Sequence, residues 1–370
     1  MTVQTGPEIV LETGPEPVLE IRDLRVDFTT YAGTVKVLNG IDLKLYEGEI
    51  FGLVGESGCG KSVTALTIAG LLPENARIVS GEVLLRGHDI LKDSKEELRE
   101  VRSRSVAMVF QDPMTFLNPV LTVGTQVQEA VDVRYGKQGK RLIPQRDHSG
   151  EAGRKTTAWS EKKESKKQFI REMTLQVLKK VRLPDPERIM KSYPHELSGG
   201  MRQRAMIAMA LARDPDLLVA DEITTALDVT IQAQILELLR ILRNEVKTTI
   251  IVITHDLGVV AEVCDRVGVM YAGDIVEVAT VEGLFAKPSH PYTQGLLKSI
   301  PVVTRTGSRL VSVQGSVPDL IDPPPACRFN PRCPSAWDLC RRVKPRVTPL
   351  GNDHSVTCHL YDKDESHEPR

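Results

Sequence analysis

Residues 18 to 28 (VLEIRDLRVDF) and 35 to 45 (VKVLNGIDLKL) alternate apolar and polar side chains between turn residues, the pattern of two half-buried strands. EIFGLVG, ending at Gly55, is instead a continuous apolar run closed by glycine, which predicts a buried strand feeding a loop. SVTALTIAGLL then continues at helical period. RSVAMVFQDP, DLLVADE and TTIIVITHD repeat the form of a short apolar strand ending in polar residues, with helical stretches such as Ile231 to Leu242 between them. Strands alternating with helices predict an α/β fold: a parallel sheet covered on both faces, with ligands at the carboxyl ends of its strands.

The pattern breaks in three places. Residues 1–17 are acidic and contain Pro and Gly, without the basic start and apolar run of a secretory signal, and read as a loose tail. Residues 134–168 carry 11 Lys/Arg against 4 Asp/Glu with no stable period, and are expected to be a flexible basic insertion. After residue 284 the texture turns Pro-rich and ends in four cysteines, Cys327, Cys333, Cys340 and Cys358. Composition adds little: 48 Lys/Arg nearly balance 49 Asp/Glu over 370 residues, which gives no reason to expect a nucleic-acid binder. No apolar run reaches the roughly 18 residues of a membrane helix.

GESGCGKS, Gly55 to Ser62, has the spacing of a phosphate-binding loop placed between strand and helix. Its backbone N–H groups and the helix N-terminus suit a triphosphate, Lys61 the outer phosphates, and the Ser62 hydroxyl a Mg²⁺ ion. Gly55, Gly58 and Gly60 permit close approach, whereas Ser57 and Cys59 occupy variable positions. Cys59 is not expected to act as a nucleophile, because phosphoryl transfer to water needs no thiol. Asp221, at the end of LLVAD, is placed to order a water on Mg²⁺, and Glu222 to polarise the attacking water. His255, ending the next strand, could hold that water and Glu222 in line. ELSGGMRQR offers a second anion site, Ser198, Gly199 and Gly200, at the start of a helix. Alone it could be an ordinary helix cap.

In that order these motifs resemble the ATP-binding-cassette (ABC) family across nearly all of residues 20 to 360. GESGCGKS is similar to its Walker A loop, Gln111 in VFQDP to its Q-loop, LSGGMRQR to its signature, LLVADE to its Walker B, Ala226-Leu227-Asp228 to its D-loop and ITHD to its switch histidine. Tyr31 resembles the aromatic that stacks on adenine, with Phe28 the second choice. The resemblance implies a RecA-like parallel-sheet core with an antiparallel β subdomain over 18–284, and a helical subdomain at about 112–205 that touches membrane subunits. It also implies ATP and Mg²⁺ as cofactors, with Gln111 joining Ser62 and Asp221 near the metal. Ser198, Gly199 and Gly200 of one subunit would close over the γ-phosphate held by a second.

DEITTALDVTIQAQIL, VMYAGDIVE, HPYT and RFNPRC further resemble the oligopeptide or dipeptide permease ATPases. Ile223 stands where that family usually has proline after Asp-Glu. The resemblance implies an ATPase on the cytoplasmic face of the membrane, paired with a paralogous ATPase subunit. Two permease subunits and an extracytoplasmic peptide-binding protein would complete the assembly. Residues 285–362 would form a small C-terminal domain, followed by a tail over 363–370. In some relatives its cysteines bind a 4Fe–4S cluster. Zinc, or reduced and empty thiols, are the alternatives; the absence of C-x-x-C spacing favours the cluster over zinc. Two other readings are weaker: an ATPase acting on nucleic acid, which would need a long coiled coil or a second cassette, and a cysteine-based redox sensor. Another cargo, such as nickel, stays open.

Overall fold

The computed structural model describes residues 16–110, 116–135, 155–225, 228–299, 313–351 and 353–362. The chain opens with β1 (Leu19–Thr30) and β2 (Gly33–Leu45), the two alternating segments, followed by β3 (Ile50–Val54), whose five residues are all buried. β4 (Ala76–Leu85) and β5 (His88–Asp89) complete a four-stranded antiparallel sheet in the order β2-β1-β4-β5.

The second sheet takes up β3 with β6 (Val106–Val109), β7 (Leu217–Asp221), β8 (Thr249–Thr254), β9 (Arg266–Tyr271) and β10 (Asp274–Thr280). β11 (Val347–Gly351) and β12 (His354–Thr357) add its far edge, giving the order β11-β12-β10-β9-β3-β8-β7-β6. The five strands from β9 to β6 run parallel. They are almost uniformly apolar because both faces are covered. One face packs Phe51, Leu53, Val219 and Ile251 with the antiparallel sheet's Ile21, Leu24 and Val26. The other packs Ile50, Leu218 and Val252 against helical residues such as Leu236 and Leu239.

Two expectations change. Of residues 134–168, read as a flexible insertion, Arg134 and Tyr135 end the helix Val123–Tyr135, 136–154 lie outside the described residues, and 155–168 form the first half of the helix Lys155–Lys180. The second half supplies the reason: Ile170, Val177 and Leu178 are buried in the core with Phe169 and Met173 against them. Once that packed face nucleates the helix, propagation through Lys- and Glu-rich sequence costs little. The C-terminal region, expected as an appended domain, is instead continuous with the main sheet, since Glu277 and Val278 of β10 pair with Val356 and Ser355 of β12. It also reaches the first sheet, where the Lys36 N–H donates to Leu320 O at 2.8 Å. Among the described residues no helix is long and apolar enough to cross a membrane.

Candidate functional site

Because β3, β8 and β7 are neighbours in the parallel sheet, their carboxyl ends bring together the three polar segments that follow them. After β3 comes the loop 55–60, then the helix Lys61–Ile68. Gly55 is required by proximity: a Cβ there would lie 2.1 Å from Met270 O on β9. Gly58 is required by conformation, with φ of 78° and open space where its side chain would be. The loop is pinned from behind by the Gly273 N–H, which donates to Cys59 O at 2.8 Å.

Lys61 is buried, and its Nζ donates to Gly55 O (2.8 Å) and Glu56 O (3.0 Å), so the ammonium is held inside the loop's curve. Cys59 is wholly buried, and burial pushes its thiol up despite the neighbouring lysine. A protonated, enclosed thiol is a packing group rather than a nucleophile. Its sulfur accepts from Lys61 Nζ at 3.7 Å and packs in the core, while its carbonyl takes the Gly273 N–H.

Ser62 Oγ lies 3.4 Å from Asp221 Oδ1 at the end of β7. Burial pushes the Asp221 carboxyl up, the Ser62 hydroxyl opposes that shift, and the adjacent Glu222 charge adds to it. A hydroxyl facing a desolvated carboxylate is an all-oxygen donor pair suited to a hard divalent cation such as Mg²⁺. Glu222 has φ of 50°, a left-handed conformation unusual for a residue with a side chain. Its N–H donates to Ile253 O of β8 at 2.9 Å, and Thr225 Oγ1 donates to its Oε2 at 3.2 Å. Its Oε1 lies 3.4 Å from His255 Nδ1, just past β8. Ile223, the next residue, is buried among core residues, so an apolar contact fixes the turn that leaves Glu222.

The remaining predicted residues lie apart or outside the description. Ser198 caps the helix Gly199–Leu211, its Oγ accepting from the Met201 N–H at 3.4 Å. Gly199 is open, while a Cβ on Gly200 would meet Ile231 Cγ2 at 2.8 Å. Among the described residues no hydrogen bond joins Ser198, Gly199 or Gly200 to the 55–62 loop of the same chain. Tyr31, in the β1–β2 turn, is fully exposed. Gln111, Ala226 and Leu227 fall outside the described residues.

The expected iron–sulfur or other metal-binding domain is corrected. Among the described residues no three His, Cys, Asp or Glu side chains are disposed to hold a metal ion. Cys327, Cys333, Cys340 and Cys358 are free and buried or half-buried. Burial, with a smaller effect from neighbouring cysteines, pushes Cys327 up to about 11 and Cys358 up to about 12. Cys327 and Cys333 pack beside Tyr271, Tyr292 and Phe329, where they act as small apolar side chains.

Sequence reasoning missed two residues beside the loop. Tyr292, from HPYT, accepts the Glu56 N–H at 3.0 Å, and Arg332, from RFNPRC, grips the Glu56 carboxylate. Both motifs stood out, but nothing local in either pointed to a loop more than 200 residues earlier.

The geometry agrees with what the chain is similar to. Residues 38–225 match the family model of the ABC transporter, and residues 276–340 that of the oligopeptide/dipeptide transporter C-terminal region. Dipeptide transport ATP-binding protein DppD of Bacillus subtilis is 47% identical over 94% of this chain and 96% of its own length. A probable peptide ABC transporter ATP-binding protein of Sinorhizobium fredii, y4tR, is 47% identical over 97% of each chain. Among solved structures, the dimeric bacterial ABC transporter cassette MJ0796 superposes with a TM-score of 0.55 at 26% identity, over 71% of this chain and 98% of that one. cbiO1 of Clostridium perfringens gives 0.56 at 26% identity, over 74% and 92%. With the phosphate loop, the Ser62–Asp221 pair and the Glu222–His255 pair gathered at the carboxyl ends of neighbouring parallel strands, the chain belongs to the ABC transporter ATP-binding subunits, in their oligopeptide/dipeptide branch.

Proposed function

We propose that this chain hydrolyses ATP to energise import of dipeptides or oligopeptides through a membrane ABC transporter. The observation that carries the reading is the Glu222–His255 pair at 3.4 Å beside the Ser62–Asp221 pair at 3.4 Å. Bound Mg²⁺ would supply charge neutralisation on the phosphates. Ser62 and Asp221 would hold that ion, with Gln111 beside them, while Lys61 and the N–H groups of residues 57–62 bind the phosphates and Tyr31 stacks on adenine. Glu222 takes the proton from the attacking water as general base, and His255 keeps its carboxylate and the γ-phosphate in line.

Ser198, Gly199 and Gly200 serve a partner's nucleotide rather than their own. In support, Gly199 is open to solvent and the capped helix N-terminus suits an anion. The partner is a second ATPase subunit, a paralogue of this chain, and the assembly includes two permease subunits and an extracytoplasmic peptide-binding protein. A groove of about 230 Å³ between Leu71, Phe110, Phe116 and Met209 supports permease docking, with Phe116 exposed at its lip. Docking there sets the chain on the cytoplasmic face of the membrane.

Replacing Glu222 by Gln tests the reading. Hydrolysis should fall by roughly 10²- to 10⁴-fold while MgATP binding persists and closed dimers accumulate. Turnover near the wild-type rate would remove Glu222 from the role of base.

A further inference from the structure

Glu56 is the single acidic residue in the phosphate loop GESGCGKS. An uncompensated carboxylate there would repel the anion the loop is built to receive. It is compensated from the far end of the chain. Arg332 grips it as a fork, Nη1 to Oε2 at 2.7 Å and Nη2 to Oε1 at 3.0 Å, with the arginine side chain 5% exposed.

The guanidinium is itself fully held. It donates to Gln314 O (2.8 Å), Val313 O (3.1 Å) and Tyr271 Oη (3.4 Å), and stands 5.6 Å from the Tyr271 ring centre. Tyr292 takes the backbone donor of the same loop residue, its Oη accepting the Glu56 N–H at 3.0 Å. Tyr292 is locked in turn against Tyr271 and Phe329, whose ring centres lie 4.7 Å and 5.4 Å from its own. The side chain and the backbone of one loop residue are thus both fixed by residues that follow the catalytic strands.

We propose that Arg332 and Tyr292 are positioning residues for nucleotide binding: through Glu56 they set the start of the phosphate loop and cancel its negative charge. ATP affinity then depends on whether the C-terminal region is docked on the cassette. The inference rests on the ATP-binding reading above and deepens it. The fork is the element that matters, because a bidentate pair fixes the carboxylate's orientation as well as compensating its charge, whereas a single contact compensates charge but leaves orientation loose.

The test uses the full chain, with MgATP affinity measured by titration beside thermal melting. Wild-type binding is the control: its absence would sink the ATP reading itself. Given that binding, Arg332→Gln should weaken MgATP by roughly tenfold, since it leaves the Glu56 carboxylate uncompensated within the phosphate loop. Adding Glu56→Gln should recover affinity to within about threefold of wild type, because the repelling charge is gone. A latch with no bearing on the site would lower the melting temperature only. Overturning results are therefore an Arg332→Gln chain that binds MgATP as wild type does, or a double variant as weak as the single one. Should Arg332→Gln fail to fold, Tyr292→Phe, which keeps the aromatic packing and removes only the acceptor, should weaken MgATP about threefold; unchanged affinity in that variant overturns the proposal.

Discussion

Glu222 holds a left-handed backbone conformation, φ 50°, that costs a residue with a side chain roughly 1–2 kcal/mol. The cost is offset by the bond from its N–H to Ile253 O, which ties the turn after β7 to the neighbouring strand and aims the carboxylate at His255. Strain held in place by a strand is a means of fixing a catalytic group that loop sequence alone could not fix. Lys61 is fixed differently, through its contacts with Gly55 O and Glu56 O. Replacing it by Ala removes the cation meant for the outer phosphates, and MgATP binding should weaken by about 2 kcal/mol, roughly 30-fold. Equilibrium nucleotide titration checks this, and an affinity equal to wild type would mean the ammonium does not meet the phosphates.

At the level of elements, the helix Val229–Val246 supports the site from one face of the parallel sheet. Asp228 caps its start, with Oδ1 accepting the Ile231 N–H at 2.9 Å, and its buried stripe is Ile235, Leu236, Leu238, Leu239 and Leu242. Ile231 at its first turn fills the space beside Gly200, so the cap and the signature segment share one contact. The helix ends on Lys247 at φ 56°, a left-handed position that favours glycine. Lys247→Gly should therefore stabilise the chain by about 0.5–1 kcal/mol. A denaturant melt that moves to lower midpoint would show that the lysine makes a compensating contact.

On the scale of the whole molecule, the C-terminal region is joined to the cassette through buried polar groups as well as through β10–β12 pairing. Glu277, almost wholly buried, accepts from the Ser289 N–H (2.7 Å) and the His290 N–H (2.9 Å), and its Oε1 lies 2.8 Å from His354 Nε2. The His290 ring accepts the Tyr292 N–H at its Nδ1 (3.0 Å), and burial pushes its pKa down to about 3. A neutral ring in the folded state and an ordinary one in the unfolded state make the unfolded chain bind more protons below about pH 6.5. The resulting stability is complete above that pH and is lost as pH falls toward 3. By pH 5 the loss from this residue should reach about 2 kcal/mol. Melting temperature against pH checks it: His290→Asn keeps an acceptor for the Tyr292 N–H and should flatten the fall between pH 6.5 and 5. An unchanged slope would assign the acid sensitivity to another group.

Much of the site was legible because its parts are local. A phosphate loop is a run of eight residues whose glycine and lysine spacing states its own geometry, and strands such as DLLVADE and TTIIVITHD are recognisable from apolar runs that end in polar residues. The β1–β2 pair was visible in its alternation, and the order of the motifs pointed to the family. What was not legible depended on partners far away in the chain. Residues 155–168 have no apolar period of their own, and they are helical because the packed half that follows them nucleates the helix. The cysteines looked like ligands by their clustering, but whether thiols can share an ion depends on directions in space, and the fold directs two of them into an aromatic core. The sequence by itself determined the chemistry of each strand end, since backbone and side-chain types there follow from neighbours a few residues apart. Only the tertiary structure decided that Arg332 answers Glu56 and that β12 extends β10, because burial and charge pairing are settled by whichever surfaces meet when the sheet assembles.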